Sequence, residues 1–181
     1  MAGLRSAAPN TRLAVLELAP PHLTRQAEQG IIDLAFHTAE DAPQGLRHRV
    51  LFKESYVLAG RAGHPRLKRR PTLKQFCELE HVIVSPNGGG FAGVTDKALA
   101  QSGLTRRVVL SVPHFLFVIS ALAGTDLVAM LPERLVRNNP ALRAVSPPVT
   151  IPGYEMTMLW HERAHRDPAH QWLREHITGH I

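Results

Sequence analysis

The chain holds one cysteine in 181 residues, Cys77. A lone thiol excludes an intramolecular disulfide and a multi-cysteine zinc site, and Cys77 reads as a small buried apolar residue on a helix. No apolar run approaches the ~20 residues that span a bilayer. The opening Met-Ala-Gly-Leu-Arg also lacks the apolar core of a signal peptide, so the expected location is the cytoplasm. Acidic residues are in deficit, 15 against 21 Lys and Arg, for a formal charge of +6. That balance raises nucleic-acid binding as a possibility. The densest basic run, Arg66-Leu67-Lys68-Arg69-Arg70, has no aromatic residue interleaved to stack on bases, and predicts a solvated loop or a subunit contact. Neither G-x-x-x-x-G-K-[ST] nor G-x-G-x-x-G nor G-x-S-x-G occurs, which leaves nucleotide binding and serine hydrolysis without a motif.

What is present is a globular composition, 44% apolar, arranged as alternating strand-like and helix-like stretches. That alternation predicts an α/β fold. Strands are expected at residues 12–18, 31–36, 81–85, 107–112, 126–131 and 154–161, and two extended segments within 46–60. Helices are expected at 21–29, 72–79, 91–101 and 113–123, with a short one after Pro132. A closing helix follows Asp167-Pro168, an N-cap with proline at the first helical position. Thr72 and Gln75 have capping-box spacing. The helix at 113–123 is apolar on nearly every face and predicts burial all round. Residues 138–152 hold four prolines and read as an irregular connection.

Two constellations carry chemistry. His161-Glu162-Arg163-Ala164-His165 fits the H-E-x-x-H pattern of zinc proteases. That pattern needs both histidines one turn apart on a continuous helix, whereas 155–160 alternate as a strand and Asp167-Pro168 begins a new helix. The match therefore falls on a strand end and a loop, and the zinc-hydrolase reading stands as an alternative. The second is Ser85-Pro86-Asn87-Gly88-Gly89-Gly90 between a strand and a helix. It could cradle a carboxylate with backbone N–H groups, or be a plain βα turn. Pro113-His114-Phe115, opening the apolar helix, could set an imidazole and a ring against an aromatic ligand; a satisfied, partly buried histidine fits equally.

Residues 29–36 (Gln-Gly-Ile-Ile-Asp-Leu-Ala-Phe), Glu54-Ser55-Tyr56-Val57-Leu58 before Gly63-His64-Pro65, and 126–132 (Asp-Leu-Val-Ala-Met-Leu-Pro) resemble, in order and spacing, the effector-binding domain of LysR-type regulators. The ending, Trp160-His161-Glu162-Arg163 then 167–174, is similar to the branch with nodulation regulators and regulators of naphthalene, salicylate and nitrotoluene degradation. The resemblance implies a periplasmic-binding-protein type II-like fold: two Rossmann-like lobes joined by two crossing strands, near 56–61 and 152–158, with a small effector in the cleft. The expected lobes are 1–58 with 154–181, and 59–153. The first lobe would be incomplete, lacking its opening strand and most of its first helix, with 1–9 the tail of that helix and an exposed apolar seam beside the gap.

Carried over by position, the resemblance implies effector contacts at Leu18, Ala19, His37, Thr38, Ser85, Pro86, Asn87, Gly88, Pro113, His114, Phe115 and Met130. Ser85 and Asn87 would donate hydrogen bonds, His114 would make a polar contact, and Phe115 and Leu18 would pack on the ligand. It implies a non-enzymatic sensor of an aromatic acid or similar molecule, without a cofactor or metal. The partners would be a homo-oligomer of this chain and DNA, reached through a helix-turn-helix absent from these residues. A stand-alone solute-binding protein of the same architecture is the other alternative.

Overall fold

The computed structural model describes residues 2–17, 20–86 and 89–181. In chain order the first elements are α1 (Ala2–Ala7), α2 (Leu23–Glu28), β1 (Ala35–Thr38), β2 (Arg47–Glu54), β3 (Tyr56–Arg61), α3 (Leu73–Cys77) and β4 (Glu80–Val84). They are followed by α4 (Val94–Ala100), β5 (Arg107–Val112), α5 (Phe115–Gly124), β6 (Ala129–Pro132), α6 (Glu133–Val136), β7 (Leu142–Val145), β8 (Tyr154–Trp160) and α7 (Pro168–Thr178).

The chain divides into two compact units, 1–53 with 154–181 and 54–153. The first junction falls at 53/54 and not at 58/59. The reason is that β3 is hydrogen-bonded as a whole to β6 and β7 of the second unit.

In the first unit the sheet order is β1-β8-β2, and β1 runs antiparallel to β8 with Ala35 opposite Leu159. Leu23, Ala35 and Leu159 form the core. The expected strand at 31–36 is displaced to Ala35–Thr38 and is not covered on both faces, since Phe36 is 47% exposed. Residues 11–17 carry no regular structure, and Leu13, Val15 and Leu16 are exposed. Their apolar run suits a strand, but a strand needs a partner ladder, and no described strand pairs with them.

In the second unit, β4 and β5 pair in parallel, β6-β3-β7 pair antiparallel, and a His81–Val128 bridge joins the two groups. Neighbouring residues of β3 enter different cores: Leu58 packs with Leu67, Phe76, Leu79, Leu99 and Val128, and Ala59 with Val82, Val118, Leu122 and Leu131. Side chains alternate across a strand, so this sheet is covered on both faces. Thr72 and Gln75 form the expected capping box on α3.

Two expectations are corrected here. α5 is not buried all round: Val118 and Leu122 are buried, but Leu116 is 79% and Phe117 60% exposed. Composition reports what a face could bury, and the sheet contacts only one face of this helix. Residues 138–152 also contain a strand, β7, which Pro140 and Pro147 bracket and conceal at the sequence level.

Gly153 sits where the chain leaves the second unit. A methyl on it would lie 2.2 Å from the Glu54 carbonyl oxygen, so backbone would have to move. Gly153→Ala is expected to lower unfolding free energy by about 2 kcal/mol. Urea denaturation checks this, and an unchanged midpoint would refute it.

Candidate functional site

Parallel pairing of β4 and β5, with Val84 opposite Val112, makes the segments after them emerge at one edge of the sheet. Those segments begin with Ser85 and Pro113. Carboxyl ends of parallel strands are where α/β folds gather ligands, because loops and helix starts converge there.

The loop after β4 is tied back tightly. Ser85 N–H donates to the Val112 carbonyl at 2.8 Å, and Gly90 N–H donates to Ser85 Oγ at 3.2 Å. Ser111 Oγ donates to the Gly90 carbonyl at 2.7 Å. Gly89 has φ +71°, a conformation open to glycine, and a Cβ at Gly90 would meet Ser85 Oγ at 2.8 Å. Ser85 Oγ is the acceptor in this arrangement.

The next helix, expected at 91–101, starts later. α4 begins at Val94, and its first turn is taken by the chain's own Asp96, whose Oδ2 accepts from Gly93 N–H at 2.7 Å. Asp96 in turn takes two hydrogen bonds from Arg106, at 2.9 and 2.8 Å. Arg106 Nη1 lies 3.4 Å from Nδ1 of His81, which is fully buried.

Above this polar group lies a cavity of about 110 Å³, lined among others by Tyr56, Val84, Gly93, Arg106, Phe115 and Met130. Burial, with the charge of Glu54 adding to it, raises the Tyr56 phenol above its ordinary value. The ring therefore carries an intact hydroxyl. The lining combines apolar walls with a few polar groups, the usual make-up of a small-molecule pocket.

Of the sequence-derived site residues, Phe115 and Met130 line this cavity. Ser85 and Pro86 form the adjoining loop, and Pro113 and His114 are exposed at the start of α5. His114 is its N-cap, in extended backbone, and its ring makes no side-chain cap. His37 and Thr38 belong to the first unit, half-buried on β1, where Thr157 Oγ1 donates to the His37 carbonyl at 2.8 Å. Leu18, Ala19, Asn87 and Gly88 lie outside the described residues. Sequence reasoning missed Tyr56, Gly93 and Arg106. The spacing from Gly93 to Asp96 was the one legible hint of a capped turn.

Cys77 ends α3 and is half-buried, not fully buried. Burial, against the field of Arg106, pushes its thiol up, so it is held as the unreactive thiol.

The H-E-x-x-H residues sit as the sequence context indicated, on a strand end and a turn. His161 caps a 3-10 turn, Glu162–Ala164, its Nδ1 accepting from Arg163 N–H at 3.3 Å. Glu162 is ion-paired with Arg47, whose hydrogen bond holds that carboxyl below its ordinary value. His165 stacks on Trp160. The residues of this ending instead build a structural joint: Arg174 lies over the Trp160 ring at 4.6 Å and donates to the Ala164 and His165 carbonyls. Asp167 caps α7 by accepting from His170 N–H.

This fold, mixed α/β with a covered sheet and a pocket at its strand ends, is that of a periplasmic-binding-protein type II-like ligand domain. The LysR substrate binding domain matches residues 1–181, and the chain belongs to that family. The transcriptional regulator SyrM 1 of Sinorhizobium fredii is 37% identical over 97% of this chain and 52% of its own length. The transcriptional activator NagR of a Ralstonia species is 37% identical over 97% of this chain and 59% of its own. Among solved structures, the regulatory domain of MexT, a transcriptional activator in Pseudomonas aeruginosa, superposes with TM-score 0.77. It shares 28% identity over 98% of this chain and 87% of its own. The chain thus spans about half the length of the curated relatives it matches. Among the described residues no helix is long and apolar enough to cross a membrane.

Proposed function

We propose that this domain senses a small aromatic carboxylate for a LysR-type transcription regulator in the cytoplasm, binding it without turning it over. The observation that carries this is the cavity bounded by Phe115, Met130 and Tyr56, which follows the strand leading into the Ser85 loop. Its volume of about 110 Å³ is below the ~150 Å³ that admits benzene, so it takes only part of such a ligand. Ring contacts fall to Phe115 and Met130, and the carboxylate to Ser85, the Tyr56 hydroxyl and His114.

Binding that favours one arrangement of the domain would reorganise a homo-oligomer, and DNA would be reached through a helix-turn-helix outside these residues. No catalytic role is assigned.

Titration with salicylate is the test. Salicylate is expected to raise the thermal midpoint by mass action, with the stabilisation abolished in His114→Ala and affinity about tenfold weaker in Phe115→Ala. Unchanged affinity in both variants would remove the site from this face of the domain. Failure of a panel of aromatic carboxylates to bind at all would remove the ligand class.

A further inference from the structure

We propose that the basic loop at 65–71 forms a second ligand site in the 54–153 unit, for a small oxyanion carrying two or more charges. Its residues border a cavity of about 470 Å³, lined by Arg66, Lys68, Arg69 and Arg70 over Pro71 and Leu79. That volume falls in the range of metabolite-sized pockets, and is several times that of the cavity at Phe115.

The loop is built to hold its cations outward. Leu67 is fully buried and His64 is 2% exposed. His64 Nε2 donates to the Asp126 carbonyl at 2.9 Å, and its Nδ1 accepts from Arg66 N–H at 3.1 Å. Arg143 donates to the Lys68 carbonyl at 2.7 Å, and the Thr72–Gln75 box fixes the chain after Pro71. Between these pinned points Lys68, Arg69 and Arg70 are exposed and line the cavity.

Their charge is mostly uncompensated. Arg66 pairs with Glu78 at 3.1 Å, while Lys68, Arg69 and Arg70 make no ion pair among the described residues. Three net positive charges around one concavity repel each other, and an anion in it relieves that repulsion. Guanidinium forks match carboxylate and phosphate oxygens in bidentate geometry. Leu79 and Pro71 give a short carbon skeleton an apolar floor. The concave form and the lack of stacking aromatics favour a compact anion over a nucleic-acid strand.

The probes are citrate and inorganic pyrophosphate, titrated into the intact chain by calorimetry at fixed ionic strength, with duplex DNA as a third arm. The expected result is a saturable one-to-one isotherm for citrate or pyrophosphate, and whichever binds tighter identifies the anion as carboxylate or phosphate. In Lys68→Ala/Arg69→Ala/Arg70→Ala that affinity is expected to fall at least tenfold, with salicylate binding unchanged and the anion-free thermal midpoint not lowered. Should the triple variant unfold, Arg69→Gln and Arg70→Gln alone are each expected to weaken binding at least threefold. Non-saturating heats, equal affinity in wild type and variants, or binding of DNA with neither small anion would each overturn the proposal.

Discussion

Arg106→Leu is expected to lower the unfolding free energy by about 3 kcal/mol, at the lower end of what breaking a buried ion pair costs. The Arg106 side chain is 2% exposed, and it gives both carboxylate oxygens of Asp96 a hydrogen bond. Removing it strands Asp96, 22% exposed, in a site where water replaces those donors poorly. Burial alone would raise the Asp96 carboxyl, but the hydrogen bonds and charge of Arg106 outweigh it and hold the group below its ordinary value. A depressed carboxylate adds stability above its unfolded pKa, and that stability is lost as pH falls through the folded value. Because Asp96 also holds Gly93 N–H, the loop beside the Phe115 cavity loses its anchor, and, on the proposed function, salicylate affinity is expected to fall with stability. Urea unfolding of Arg106→Leu, Asp96→Asn and the double variant supplies the check. The double variant is expected to lose less than the sum of the two singles. Full additivity would show that the pair does not act as a unit.

Lowering the pH from 7.5 to 4.5 is expected to remove about 2.5 kcal/mol of stability through His81 alone. This imidazole is fully buried against the edge of Phe76, with Nε2 donating to the Phe76 carbonyl at 2.8 Å. Its Nδ1 faces the Arg106 guanidinium. Burial, with Arg106 adding to it, pushes the folded pKa down to about 4 from 6.5. A proton is therefore taken up more readily by the unfolded chain between those values. Stability is complete above about 6.5 and declines as pH drops toward 4. His81→Gln keeps an N–H for Phe76 and does not titrate, so its stability is expected to stay flatter over the same interval. Equal slopes for the two proteins would locate the acid sensitivity elsewhere.

His81 also shows where sequence reading stops. It opens a run of β-branched residues and reads as the first residue of a strand, which it nearly is, since β4 starts at Glu80. Nothing in that run says that its ring closes a chain through Arg106 to Asp96, because those partners lie 25 and 15 positions further along. Tyr56 was legible as part of a crossing segment, but its place in the cavity depends on β3 lying beside β6. The apolar helix α5 misled for the same reason: Leu116 and Phe117 look like core, but the packed structure buries Val118 and Leu122 and leaves those two exposed.

What local chemistry writes was readable in advance. The Thr72–Gln75 box, the Asp167-Pro168 helix start, the strand at 107–112 and the turn that defeats the H-E-x-x-H match all depend on residues within a few positions of each other. So was the family, carried by phrases whose order survives divergence. The tertiary structure alone decided which strands are paired, which faces are covered, and that Arg106, Phe115 and Met130 share one cavity while Lys68, Arg69 and Arg70 ring another. Hydrogen-bond and side-chain geometry between distant segments is set by packing, and packing is a property of the whole chain at once.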